Sequence, residues 1–127
     1  MIFKSIRLKN IRSYKESEIK FPDGAVLLAG DVGSGKTSIL LAIEYALFGL
    51  QPGQRGASLL AKGEEYGEVS LEIDIDGTKV VIDRGLKRNA NSITQDFAAI
   101  TINDSRFESS VTEVKLIILE LLNYSFQ

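Results

Sequence analysis

Residues 30–37 read GDVGSGKT and fit the pattern G-x-x-x-x-G-K-[ST]. They lie between a short apolar run, Val26 to Ala29, and an apolar stretch of helical length that runs from about Lys36 to Leu47 or Phe48. Strand, glycine-rich loop and helix in that order are the setting in which such a loop cradles phosphate. The chemistry divides among the residues. Gly30, Gly33 and Gly35 let the backbone turn tightly and approach an anion. The amides of the loop, Asp31, Val32 and Ser34 included, and the N-terminus of the helix present donors and positive dipole to it. Lys36 is placed to reach β- and γ-phosphates, and the Thr37 hydroxyl to ligate Mg²⁺. Ser38 either caps phosphate or is simply a small first-turn residue. A glycine-rich turn that binds nothing is the competing reading. A lysine directly after Gly35, at the mouth of an apolar helix, counts against it. The pattern predicts a nucleotide, as a triphosphate, and leaves the base open.

The 127 residues suit one domain with a core of its own. A formal net charge of -2 provides no overall basic field for nucleic acid. Charge is uneven, however. Residues 1–20 hold six Lys or Arg against two Glu, whereas residues 64–76 hold six acidic residues and no basic one. The chain has no cysteine, which excludes disulfides and thiolate chemistry, and no histidine, which removes the usual general base and zinc ligand. MIFKSIRLKN lacks the long apolar core of a signal peptide, and no run reaches 18 apolar residues. A cytoplasmic protein without a membrane span is the expectation.

Along the chain, residues 2–9 alternate as a strand, with Ile2, Ile6 and Leu8 on one face. Asn10 to Ser17 reads as polar and turn-like, and Ile19 and Phe21 share a face of a second short strand. Val26 to Ala29 suits a strand covered on both faces. The helix from Lys36 has Glu44 as its only charge after the first turn, so it is expected to be enclosed on more than one side, with Gly49 as its C-cap. Residues 51–67 predict a loop with one helical turn around Ser58 to Ala61. Val69, Leu71, Ile73 and Ile75 alternate with polar residues, and Asp76-Gly77 predicts a tight hairpin into Lys79 to Asp83. Residues 85–97 read as irregular or as a hairpin excursion; Ile100 and Ile102 make a short strand, and Asn103-Asp104 a turn. Ser110 and Glu113 form a capping box for a last helix, with an apolar stripe of Val114, Ile117, Ile118, Leu121 and Leu122. The expected fold class is α/β: a phosphate-loop NTPase lobe, residues 1–127, with an antiparallel β-flap.

A working ATPase of this type needs a second acidic site, usually an Asp ending an apolar strand. Val80 to Asp83 imitates one but is the return arm of a hairpin, and Ile117 to Glu120 has helical spacing. Neither is taken as the site.

The chain resembles the N-terminal lobe of the ATPase head of archaeal double-strand-break repair ATPases, the coiled-coil partners of a repair nuclease within the structural-maintenance-of-chromosomes (SMC) class. The resemblance rests on IRLKNIRSYKESEIKFPDG at 6–24, the loop, the helix ending ALFG, QRGASLLAKGEEYGEVSLEIDIDG at 54–77, Arg84 and Arg88, and TEVKLIILELL at 112–122. It covers essentially the whole chain, and the selective part is the Arg12-Ser13 pair. It implies that Arg12 and Ser13 lie beside the nucleotide, and that Lys36 and Thr37 hold phosphates and Mg²⁺. The Mg²⁺-ligating glutamine falls beyond this sequence and is not Gln127. The signature motif, the acidic pair and the switch histidine belong to a C-terminal lobe beyond a long coiled coil. Val32 departs from the Asn common in SMC-class loops and loses a side-chain amide contact.

The implied partners are that C-terminal lobe, a second head across two ATP molecules, the repair nuclease, and DNA through the assembled head. The chain alone is expected to bind ATP and not to turn it over. Arg84, Lys87 and Arg88, with Lys9 and Lys62, form either a basic strip for a DNA backbone or a solvated face. The alternative function is a self-contained small phosphate-loop protein or kinase-like enzyme. A module that kept the loop for protein interaction, without turnover, is a third.

Overall fold

Alternation of apolar and polar residues organises most of the described residues into one antiparallel sheet. The computed structural model describes residues 2–21, 36–49, 59–75, 77–90, 92–109, 113–114 and 116–120. Among them are strands β1 (Ile2–Ile11), β2 (Tyr14–Lys20), β3 (Tyr66–Ile75), β4 (Thr78–Arg88), β5 (Ile93–Ile102) and β6 (Ser105–Ser109), and helix α1 (Lys36–Phe48). The six strands form a single sheet in the order β2-β1-β3-β4-β5-β6. Every neighbouring pair is antiparallel. What the sequence presents as an opening strand pair and a separate flap is therefore one sheet, joined where Ile6 lies opposite Leu71 and Leu8 opposite Val69.

The two faces differ as period-two alternation requires. Ile6, Leu8, Val69, Leu71, Ile73, Val80, Ile82 and Ile100 point to the core and are buried. The other face carries Arg7, Glu18, Ser70 and Asp83 across four neighbouring strands. Arg7 approaches Glu18 at 3.5 Å, and Arg106 reaches Asp83 at 3.0 Å and Glu108 at 3.3 Å. Of the acidic residues of β3, Glu68 stands opposite Lys9 and Asp74 opposite Lys79, whereas Glu72 stands opposite Ser5 and Val81.

Helix α1 covers the core face over β1, β3 and β4. Ala42, Ile43, Tyr45, Ala46 and Leu47 are buried, and Ile39, Leu41 and Phe48 pack against the same core. Residues 113–114 and 116–120 are helical, and Val114 and Ile118 join that core too. From Ser38 to Phe48 helix α1 has no exposed residue, as its apolar circumference predicts. Gly49 ends it at φ +73°, with its N–H donating to the Tyr45 carbonyl at 2.8 Å.

Several segments read as irregular are strand. The polar run from Asn10 reduces to a two-residue turn, Arg12-Ser13, because β1 and β2 pair to Ile11↔Tyr14. Opposite charges facing across that hairpin, Lys9 with Glu16 and Arg7 with Glu18, suit extended partners better than a turn. Residues 59–61 are not a helical turn: Leu60 bridges Ile11. Residues 85–88 continue β4 and 93–97 begin β5, since pairing on both sides of β4 outweighs weak local propensity. The Asn103-Asp104 turn is present, at φ +47° and +72°, and leads into β6, which alternation alone did not reveal. The expected strand at Val26 to Ala29 and the cap at Ser110 lie outside the described residues. Among the described residues no helix is long and apolar enough to cross a membrane.

Candidate functional site

The expected site residues fall at the N-terminal end of α1 and in the β1–β2 turn. Helix α1 begins at Lys36 and continues through Thr37 and Ser38, so the last residues of the G-x-x-x-x-G-K-[ST] pattern open the helix. Ser38 is buried in that first turn. Gly30, Asp31, Val32, Gly33, Ser34 and Gly35 lie outside the described residues.

Arg12 and Ser13 form the exposed turn between β1 and β2. Arg12 holds φ +51°, and Asn10 before it φ +53°, in the left-handed region that favours glycine. The neighbouring segment stabilises this backbone. The Arg12 N–H donates to the Leu59 carbonyl at 2.7 Å, and the Ala61 N–H donates to the Asn10 carbonyl at 2.9 Å. The Asn10 side-chain amide donates to the Tyr66 carbonyl at 2.9 Å. Gly67 allows this close approach, since a Cβ there would lie 2.9 Å from the Asn10 carbonyl oxygen and 2.7 Å from Leu60 Cδ1. The turn carrying Arg12 is thus held by residues 59–67, a stretch far from it in sequence.

The structure takes Arg84 out of the expected basic strip, while Lys62, Lys87 and Arg88 are exposed. Arg84 is fully buried, so it cannot meet a DNA backbone. Its Nε donates to the Ala46 carbonyl at 2.8 Å, in the last turn of α1. Burial pushes its pKa down, only partly offset by the nearby Tyr45 phenol. Arg88 spends its Nε on the Glu64 carbonyl at 2.8 Å and holds the segment before β3. Lys9 stands opposite Glu16 and Glu68 on the polar face. Inward parity was the available signal, for Arg84 continues the inward series Val80, Ile82.

Tyr45, which reads as a packing residue, has a polar role as well. Its hydroxyl donates to the Gly85 carbonyl at 2.7 Å, and burial is the main cause that pushes its pKa up. Tyr66 is pushed up to about 12, by burial first and by Glu68 next. Among the described residues no group of three or more acidic side chains is placed to hold a metal ion. Val80 to Asp83 lies within β4, and the residues around Ile117 are helical, so neither imitation of a second acidic site ends a strand of the expected kind.

Comparison with known proteins accords with this arrangement. A family model described as AAA domain matches residues 5–125. DNA double-strand break repair Rad50 ATPase from Thermoplasma volcanium is 38% identical over 96 residues, 76% of this chain and 11% of the relative. The protein of that name from Thermoplasma acidophilum is 34% identical over 113 residues, 89% of this chain and 12% of the relative. The chain thus spans about a tenth of the length of the curated relatives it matches. Among solved structures, one concerned with ATP-driven dimerization and DNA-stimulated activation of SMC ATPases superimposes with a TM-score of 0.69 at 24% identity, covering 96% of this chain and 80% of that one. The SMC head domain from Thermotoga maritima gives 0.55 at 21% identity, covering 92% of this chain and 42% of that one. These two likenesses speak for the fold. The chain belongs to the AAA domain family, as an α/β phosphate-loop ATPase lobe homologous to the N-terminal part of archaeal Rad50 and SMC-type heads.

Proposed function

We propose that this chain binds ATP through residues 30–38 and Arg12-Ser13, as one lobe of a head that hydrolyses ATP in DNA double-strand-break repair. The observation that carries the reading is the G-x-x-x-x-G-K-[ST] pattern running into a helix that begins at Lys36 and is seated on the core. Loop amides and the helix N-terminus would hold the phosphates, Lys36 would pair with the β- and γ-phosphates, and Arg12 would contribute a guanidinium from the β1–β2 turn. The donor set suits Mg²⁺ in part: Thr37 supplies one hydroxyl, and the described residues offer no carboxylate cluster. Bound there with the triphosphate, Mg²⁺ would neutralise phosphate charge.

The acidic residues for hydrolysis would come from a C-terminal lobe, with a second head facing the first across two ATP molecules. Leu116 and Leu119, on one side of the last helical segment, are 60% and 42% exposed and offer an apolar surface to that lobe. Binding the engaged state better than the open one is what would let ATP favour pairing. The relatives' role in break repair supports a repair nuclease and DNA as further partners of the assembled head.

Calorimetric titration of the chain with ATP tests the reading. The wild type is expected to bind ATP without measurable turnover, and Lys36→Ala to lose binding while keeping the fold. Turnover by the chain alone, abolished by Lys36→Ala, would overturn the composite site in favour of a self-contained small enzyme.

A further inference from the structure

Helix α1 has no polar stripe to choose which side faces the sheet. Its sequence KTSILLAIEYALF is apolar around its circumference beyond the first turn, with Glu44 the sole charge there. Burial alone therefore favours many rotations of the rod about its axis nearly equally. Directional hydrogen bonds can break that degeneracy, which is the best-attested use of buried polar groups.

Two such bonds join adjacent residues of α1 to adjacent residues of β4. The Tyr45 hydroxyl donates to the Gly85 carbonyl at 2.7 Å, and Arg84 Nε donates to the Ala46 carbonyl at 2.8 Å. The neighbouring strand is irregular at this point. Between Arg84↔Ala98 and Leu86↔Gln95, β5 sets Asp96 and Phe97 against the single Gly85, a bulge that locally disrupts the β4–β5 ladder beside the Gly85 carbonyl. Gly85 has no room for a side chain, since a Cβ there would lie 2.6 Å from the Phe97 ring. At the helix end, a Cβ on Gly49 would lie 2.7 Å from Gln95 Oε1 and 3.3 Å from Arg84 Nη1.

Stability does not explain Arg84. Its side chain is fully buried, and Nη1 and Nη2 have no hydrogen-bond partner among the described residues. Replacing a buried charge so poorly paired by an apolar side chain is often neutral or stabilising. Its charge does stand at the negative end of the α1 dipole, and its one bond meets a last-turn carbonyl that the helix leaves unpaired.

We propose that Arg84, with Tyr45, is a positioning residue for nucleotide: the clamp fixes the rotation and axial seat of α1, and so the placement of Lys36 and Thr37 at its other end. The clamp is nine residues along the helix from Lys36, about 14 Å at the usual rise. A rod of that length transmits a rotation at one end to the other. The inference rests on the proposed ATP site.

The test titrates ATP into the whole chain as wild type, Arg84→Leu, Arg84→Lys, Tyr45→Phe and Lys36→Ala, with thermal unfolding of each in parallel. Arg84→Leu is expected to keep or raise the melting temperature yet bind ATP about tenfold more weakly, the loss of roughly one charge-assisted phosphate contact. Arg84→Lys is expected to recover part of that loss, and Tyr45→Phe to weaken binding by a smaller factor. Wild-type ATP affinity in both Arg84→Leu and Tyr45→Phe would overturn the clamp while leaving the ATP site in place, provided Lys36→Ala abolishes binding. If Arg84→Leu does not fold, Arg84→Lys and Tyr45→Phe decide in the same way. A wild-type chain that binds no ATP would remove the site and this inference together.

Discussion

At the scale of the residue, the left-handed backbone of Arg12 separates what a position needs for folding from what it supplies to a ligand. Glycine would meet φ +51° with less strain, yet the chain places a long cation there. Arg12→Gly is therefore expected to change stability by no more than about 1 kcal/mol, because relief of strain offsets the added freedom of the unfolded chain. ATP affinity should nonetheless fall. Equal affinity for both proteins in calorimetry would remove Arg12 from the site. Gly67 shows the opposite case, a position set by space alone. Gly67→Ala puts a Cβ 2.9 Å from the Asn10 carbonyl oxygen, and a loss of about 1–3 kcal/mol is expected in denaturant unfolding.

At the scale of the element, the seating of α1 on β4 should leave a signature in alkaline solution. The Tyr45 phenol has an ordinary pKa of 10.0, and burial against the core raises it in the folded chain. Below pH 10 the phenol is neutral in both states and its contribution is fully present. Above it the unfolded chain releases the proton while the folded chain keeps it, so stability falls as pH rises. The slope from this one group is about 1.4 kcal/mol per pH unit. Tyr45→Phe should lower stability at neutral pH by about 1–2 kcal/mol, through the unpaired Gly85 carbonyl, and flatten the alkaline limb. An unchanged alkaline slope in Tyr45→Phe would show that the phenol does not titrate late in the folded chain.

At the scale of the whole molecule, the exposed large apolar side chains among the described residues are confined to a few places. Leu116 and Leu119 stand out on the last helical segment, whose Val114 and Ile118 are already committed to the core. The double variant Leu116→Lys, Leu119→Lys should therefore fold as the wild type does, while failing to assemble with a C-terminal lobe on co-expression. For the wild type, ATPase activity should appear with that lobe and rise more than linearly with protein concentration. Assembly of the double variant at wild-type strength, read by sedimentation, would move the lobe contact to another surface.

The identity of the candidate site and its family were legible because they are carried by local, directional chemistry. Residues 30–37 need only their own order to specify a phosphate cradle, and the alternation of Val69 to Ile75 needs only a period of two. Helix α1 and its glycine stop are local in the same sense. The strands at 85–88, 93–97 and 105–109 were not, because their partners lie across the sheet and pairing, rather than propensity, makes them extended. The same holds for Arg84. As a residue it is an ordinary cation; β4 turns it inward at the end of α1, and only the packed chain makes it a clamp rather than part of a basic surface.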